Sequence, residues 1–150
     1  NGKLFRMFKF RSMIVNAEDL LENLRGQNEM SGPMFKINDD PRITRLGRFI
    51  RKTSIDELPQ IYNVLRGEMA LVGPRPNLPD EVAKFSEYQR KKIRVKPGLT
   101  CYWQVMGRSS IGFEDWMGMD IKYIEDRNTV VDLMLILKTF KVFLGDKNAK

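Results

Sequence analysis

Thr53-Ser54-Ile55-Asp56-Glu57-Leu58-Pro59-Gln60-Ile61-Tyr62-Asn63-Val64-Leu65-Arg66-Gly67 runs through Glu68 into Met69-Ala70-Leu71-Val72-Gly73-Pro74-Arg75-Pro76. These residues read as a helix, a stop, a short strand and a rigid turn. The helix is expected over Asp56 to Leu65, closed by Arg66-Gly67, where glycine accepts the left-handed conformation of a helix end. Met69 to Val72 reads as a short strand. In the turn, Pro74 and Pro76 each fix their own φ and so hold Arg75 between two rigid neighbours.

Outward from this stretch the pattern is mostly helical. Ile43, Leu46, Phe49 and Ile50 recur at helix spacing over Ile43 to Lys52, with Arg42, Arg45, Arg48 and Arg51 largely opposite. Asn77 and Pro79 open a helix expected to run to about Arg94, and Pro97-Gly98 breaks the chain. Phe113, Met117, Ile121 and Ile124 share one face of a helix to about Glu125. Val130 to Leu144 forms a final, very apolar helix. Leu4 to Met13 alternates apolar and basic residues, so a strand is expected there. A short helix capped by Asn16 follows to about Leu24, then a loop over Gly26 to Gly32. Leu99 to Met106 reads as a strand. The fold class is α+β: one helix-rich domain over residues 1–150 with a few short strands.

Composition narrows the chemistry. The 150 residues are 42% hydrophobic and 30% charged, ordinary for a folded domain. Lys and Arg total 26 against 19 acids, a net charge of +7, which favours an anionic partner without choosing among phosphates, nucleic acid and membrane. The absence of histidine excludes Ser-His-Asp triads and His-ligated zinc, and the single cysteine, Cys101, excludes an internal disulfide or a paired-cysteine metal site. A bound divalent metal would be a hard ion such as Mg²⁺, held by carboxylate and phosphate oxygens. The longest apolar run, Leu133 to Leu137, is far short of the ~20 residues that span a bilayer.

Two readings of Asp56-Glu57 stay open at this level. Ser54-Ile55-Asp56-Glu57 fits a capping box, with Ser54 as cap, although Pro59 would then interrupt the helix. Alternatively the helix start binds phosphate and keeps the carboxylates ionised. An ionised Asp56 is a candidate nucleophile provided that arginines and a metal offset its repulsion from phosphate. That repulsion is about 4 kcal/mol per unit pair at 4 Å near a protein surface. Arg51 and Arg75 are the nearby cations in sequence.

These residues resemble the bacterial sugar transferases, the monotopic polyprenyl-phosphate phosphoglycosyl transferases. The likeness rests on Lys9-Phe10-Arg11-Ser12-Met13, Asp40-Pro41-Arg42-Ile43-Thr44, Ser54 to Gly67, Leu71 to Pro76, Lys96-Pro97-Gly98-Leu99-Thr100, Trp103-Gln104-Val105 and Gly107-Arg108. It implies transfer of sugar-1-phosphate from a UDP-sugar to polyprenyl phosphate at the cytoplasmic face of the bacterial inner membrane, with UMP leaving. On that resemblance Asp56 is the nucleophile that carries a phosphosugar, and Glu57 assists Mg²⁺ binding or proton movement. Arg51, Arg75 and the flanking Pro74 and Pro76, with Arg108, form the phosphate and substrate side. Asp56 and Glu57 would also supply the metal ligands. The family's N-terminal re-entrant membrane helix lies outside residues 1–150, and Cys101 stands where the family has glycine. An anionic membrane surface is the expected further partner, met by amphipathic interfacial helices. Nucleic acid is not expected, and a homodimer is compatible with the sequence. The rival reading is a non-catalytic basic module on anionic lipid or nucleic acid. Trp103, Trp116, Tyr123 and Phe113 read as core, with a site-wall role open for Trp103 and Gln104.

Overall fold

The computed structural model describes residues 2–29, 32–106 and 111–143. In chain order its elements are α1 (Leu21–Leu24), α2 (Arg45–Lys52), α3 (Gln60–Leu65), β1 (Ala70–Val72), α4 (Pro79–Ala83), β2 (Gly98–Thr100), α5 (Tyr102–Met106), α6 (Phe113–Asp126) and α7 (Thr129–Phe143). Tighter 3₁₀ turns cover Arg25–Gln27, Ile55–Glu57 and Gln89–Arg94. The result is a helix-rich α+β fold, as its sequence suggests.

The two strands are parallel, with Ala70 opposite Gly98 and Val72 opposite Thr100. Parallel pairing requires a long crossover, here residues 73–97, which carries α4 and a 3₁₀ turn. Gly98 is obligatory at this crossing. A Cβ there would collide with the backbone of Val72 and Gly73. The strand pair, α5, α6 and α7 meet in a core of Val72, Cys101, Tyr123 and Leu135, with Trp103 packed against it. The Tyr123 hydroxyl donates to the Asp132 carboxylate (2.8 Å) and tethers α6 to α7. Phe85, Phe113, Met117 and Ile121 form a second cluster under the crossover.

Several expected boundaries move, each for a local reason. Leu4 to Met13 forms no ladder: only Met13 bridges, to Ile43. Its donors turn elsewhere, Phe8 N–H to Asn63 Oδ1 (3.1 Å) and Phe10 N–H to the Asp56 carbonyl (3.0 Å). Asn16 caps no helix, because residues 15–20 are turns and α1 starts at Leu21. The expected helix from Asn77 to Arg94 breaks after Ala83, where Phe85 turns inward to 5% exposure. Leu99 to Met106 is a strand only as far as Thr100. Gln104 N–H then bonds the Cys101 carbonyl (3.2 Å), and α5 begins. A short apolar run does not distinguish strand from helix by periodicity. α6 and α7 match their expected spans, whereas Leu144 and residues 107–110 lie outside the described residues.

Candidate active site

Asp56 does not lie in a helix. Ile55–Glu57 is a 3₁₀ turn, held by Glu57 N–H to the Ser54 carbonyl and Leu58 N–H to the Ile55 carbonyl, each 3.1 Å. α3 starts only at Gln60, because Pro59 has no N–H with which to continue an earlier ladder. Ser54 supplies no side-chain cap. It takes the left-handed conformation instead, φ 54°, which reverses the chain after α2 and turns Asp56 inward. Neither the capping box nor a helix start at Asp56 therefore forms.

Four segments converge on the acid pair. Phe10 N–H holds the Asp56 carbonyl, which places the Lys9 to Ser12 segment against the acid pair. The end of α2 brings in Arg51, whose Nε donates to Ser12 Oγ (2.8 Å). Ser12 is fixed in turn by Thr44 N–H on its carbonyl (3.1 Å). Gly47 of α2 packs on that same carbonyl, leaving no room for a Cβ. The turn after β1 delivers Arg75, whose Nη1 lies 3.0 Å from Glu57 Oε1. Lys9 Nζ reaches the same oxygen at 3.0 Å. Trp103 and Gln104 of α5 close the wall of a pocket of about 390 Å³.

The two acids behave differently. Asp56 is 7% exposed. Burial, and then the Glu57 charge, push its carboxyl above the usual range, against the pull of Lys9 and Arg51. No helix start faces Asp56, so the expected helix field does not act on it, and desolvation shifts its carboxyl upward instead. Burial pushes Glu57 up as well, but the charges and hydrogen bonds of Arg75 and Lys9 outweigh it and hold the carboxyl at about 2. At neutral pH Glu57 is a fixed anion that grips two cations, not a proton donor.

The expected site residues divide accordingly. Asp56, Glu57, Arg51 and Arg75 come together in one pocket. Pro74 and Pro76 do not line it. They wall a second cavity of about 580 Å³, which shares Arg75 and also meets Lys3, Arg66 and Arg94. Arg108 lies outside the described residues. Lys9 and Ser12 were not expected at the site. The signal was faint, a cation in the alternating segment 48 positions from Glu57. Arg42 is not on a solvated arginine face: it is buried against Asp40, Nη2 to Oδ2 2.7 Å. As for a metal, the described residues hold no group of three or more acidic, histidine or cysteine ligands. Two neighbouring carboxylates suit Mg²⁺, which takes its remaining ligands from phosphate and water.

Residues 1–146 match the sequence profile of a family described as bacterial sugar transferase. The chain is 50% identical over 151 residues to a galactosyl transferase, CpsE, of Streptococcus agalactiae, covering all of this chain and 34% of that protein. It is 42% identical to the undecaprenyl-phosphate galactose phosphotransferase of Salmonella typhimurium, over 96% of this chain and 31% of the relative. With the undecaprenyl-phosphate glucose phosphotransferase of Komagataeibacter xylinus it shares 38% identity, over 99% of this chain and 28% of that protein. The chain thus spans about a third of the length of these relatives.

Proposed function

This chain belongs to the bacterial sugar transferase family, and on that premise we propose that it moves a sugar-1-phosphate from a UDP-sugar to undecaprenyl phosphate through a phosphosugar on Asp56. The observation that carries this reading is a buried carboxylate inside a ring of Lys9, Arg51 and Arg75. A carboxylate next to phosphate is repelled unless cations are fixed around it, and here they are built in. The names of the galactose and glucose phosphotransferase relatives support a lipid-phosphate acceptor. That of a UDP-galactose-lipid carrier transferase of Erwinia amylovora, 41% identical, supports the donor.

In the first step an Asp56 carboxylate oxygen attacks the phosphorus that bears the sugar. The bond from that phosphorus to the bridging oxygen breaks, and UMP leaves with the electron pair. In the second step an oxygen of the lipid phosphate attacks the same phosphorus, and the Asp56 carboxylate departs. Nucleophile and leaving group are anions in both steps, so no proton has to move, in keeping with the absence of histidine. Lys9, Arg51 and Arg75 bind and orient the phosphates. Glu57 holds Lys9 and Arg75 in place through one oxygen. Mg²⁺, held by Asp56 and Glu57, would supply further neutralisation of diphosphate charge. The second cavity beyond Arg75 gives space for the nucleoside half of the donor.

The domain would work on a membrane. No helix among the described residues is long and apolar enough to cross one. Apolar side chains instead face outward, including Leu46 and Phe49 on α2 and Leu137 and Phe140 on α7. Such faces, interspersed with lysine and arginine, suit an anionic interface.

The test is UMP release from a panel of UDP-sugars with Mg²⁺ and undecaprenyl phosphate, with mass analysis of acid-quenched protein. Wild-type protein acquires a phosphosugar adduct when the acceptor is withheld. Asp56→Asn acquires none and releases no UMP, and EDTA stops the wild-type reaction until Mg²⁺ is restored. Full turnover by Asp56→Asn would remove the nucleophile assignment.

A further inference from the structure

We infer that Trp103, Trp116 and the buried Lys92–Asp120 pair form a column that positions the Arg75 guanidinium for the donor's phosphates. Trp116, Lys92 and Asp120 are then positioning residues behind the pocket. This rests on Arg75 being a donor contact, as proposed above.

Prolines on both sides stiffen the chain around Arg75 but not its long side chain, which has several rotatable bonds. Two contacts hold that side chain. Its edge meets Glu57, Nη1 to Oε1 3.0 Å. Its head group lies over Trp103, with Cζ 5.9 Å from the ring centre. Behind Trp103 the rings continue: Trp103 and Trp116 are 4.6 Å apart between centroids, tilted by 40°. Lys92 Nζ then lies 4.8 Å from the Trp116 ring. Lys92 is anchored to Asp120 at 2.7 Å, the side chains being 3% and 0% exposed.

Two closely packed, tilted indoles thus link two cations, one lining the pocket and one sealed in the interior. Each distance falls within the range over which cation–π and aromatic pairs attract. The sealed end cannot drift, since a buried ammonium that left its carboxylate would stand unpaired in the interior. Trp103 comes from α5, Trp116 and Asp120 from α6, and Lys92 from the Gln89–Arg94 turn. The column therefore ties the Arg75 head group to the most enclosed part of the fold. If the tryptophans merely filled space, their loss would act on stability and activity without regard to residue 75.

A double-mutant cycle separates these cases. It is read on kcat/KM for UDP-sugar and on the dissociation constant of UDP, using the protein in its active, membrane-bound form. Trp116→Leu keeps an apolar side chain, smaller than the indole, and removes the π face. It should lower kcat/KM and weaken UDP by about 3- to 30-fold. Trp116→Phe, which retains an aromatic face, should recover most of that loss. In an Arg75→Lys background, where the planar group is gone, Trp116→Leu should cost little more. Equal losses in both backgrounds would overturn the column while leaving Arg75 as a donor contact, because independent sites add. An Arg75→Lys variant with wild-type kinetics and UDP affinity would overturn the donor contact and the column together. If Trp116→Leu does not fold, as judged by its melting curve, Trp103→Leu at the half-buried upper ring carries the same cycle.

Discussion

Asp56 and Glu57 are neighbours whose environments push their titrations apart, and this makes separate predictions about stability. Burial raises the Asp56 carboxyl, so above its folded pKa the native state carries an ionised group at a cost. Asp56→Asn removes that cost. The variant should melt higher than wild type at neutral pH, each kcal/mol relieved appearing as about 2–4 °C. The gain should vanish in acid, where Asp56 is protonated in both states. Glu57 has the opposite sign. Its folded value of about 2 lies below the ordinary 4.5, so its contribution is complete above 4.5 and lost as pH falls through 2. Melting curves across that window should show wild type converging on Glu57→Gln, with the variant less stable at neutral pH. The acid pair, Arg51 and Arg75 were legible because they lie within one short stretch and carry chemistry that a solvated surface does not need. Lys9 was not. Its place depends on Phe10 N–H reaching the Asp56 carbonyl, a contact that sequence spacing does not encode.

The joint between α2 and the 3₁₀ turn depends on Ser54. A non-glycine residue at φ 54° is strained, and a β-branched one more so. Ser54→Gly should retain the fold with little change in stability. Ser54→Val should cost about 1–3 kcal/mol in chemical denaturation and reduce turnover as well, since Asp56 is carried on that reversal. A Ser54→Val protein of wild-type stability and rate would remove strain as the reason Asp56 faces inward. At this scale legibility follows length and periodicity. α6 and α7 are long and keep 3.6-residue spacing, so their spans were readable. Distant partners such as Asn63 and Asp56 decide the form of Leu4 to Met13, and Tyr102 to Met106 is too short for periodicity to tell helix from strand. Pro59 conflicts with a helix capped at Ser54, which the sequence alone shows. Its resolution, a 3₁₀ turn followed by a fresh start at Gln60, required the left-handed Ser54 that no residue type announced.

Over the whole molecule, charge and apolar surface act together. Leu46 is 69% and Phe49 59% exposed on α2, while Leu137 is 65% and Phe140 62% exposed on α7. Burying such side chains in lipid is favourable by about 1.5–3 kcal/mol each. Phe49→Ser with Leu137→Ser should therefore reduce co-sedimentation with anionic vesicles by tenfold or more, on the order implied by that burial. The melting temperature should hardly change, because neither side chain belongs to the core. Raised salt should weaken wild-type binding further by screening the +7 net charge. Unchanged vesicle binding by the double variant would exclude these faces as the contact. A last consequence concerns the shared grip of Lys9 and Arg75 on one Glu57 oxygen. Before reaction Asp56 contributes one negative charge to the pocket. In the proposed intermediate the phosphorylated carboxyl would contribute none, but the attached phosphoryl group would restore one. On that route the resting and loaded forms would carry equal charge, and the cations that Glu57 restrains would face the same net charge in both half-reactions. The incoming lipid phosphate would then meet the same net charge as the nucleotide did, moved outward from the carboxylate to the phosphoryl oxygens.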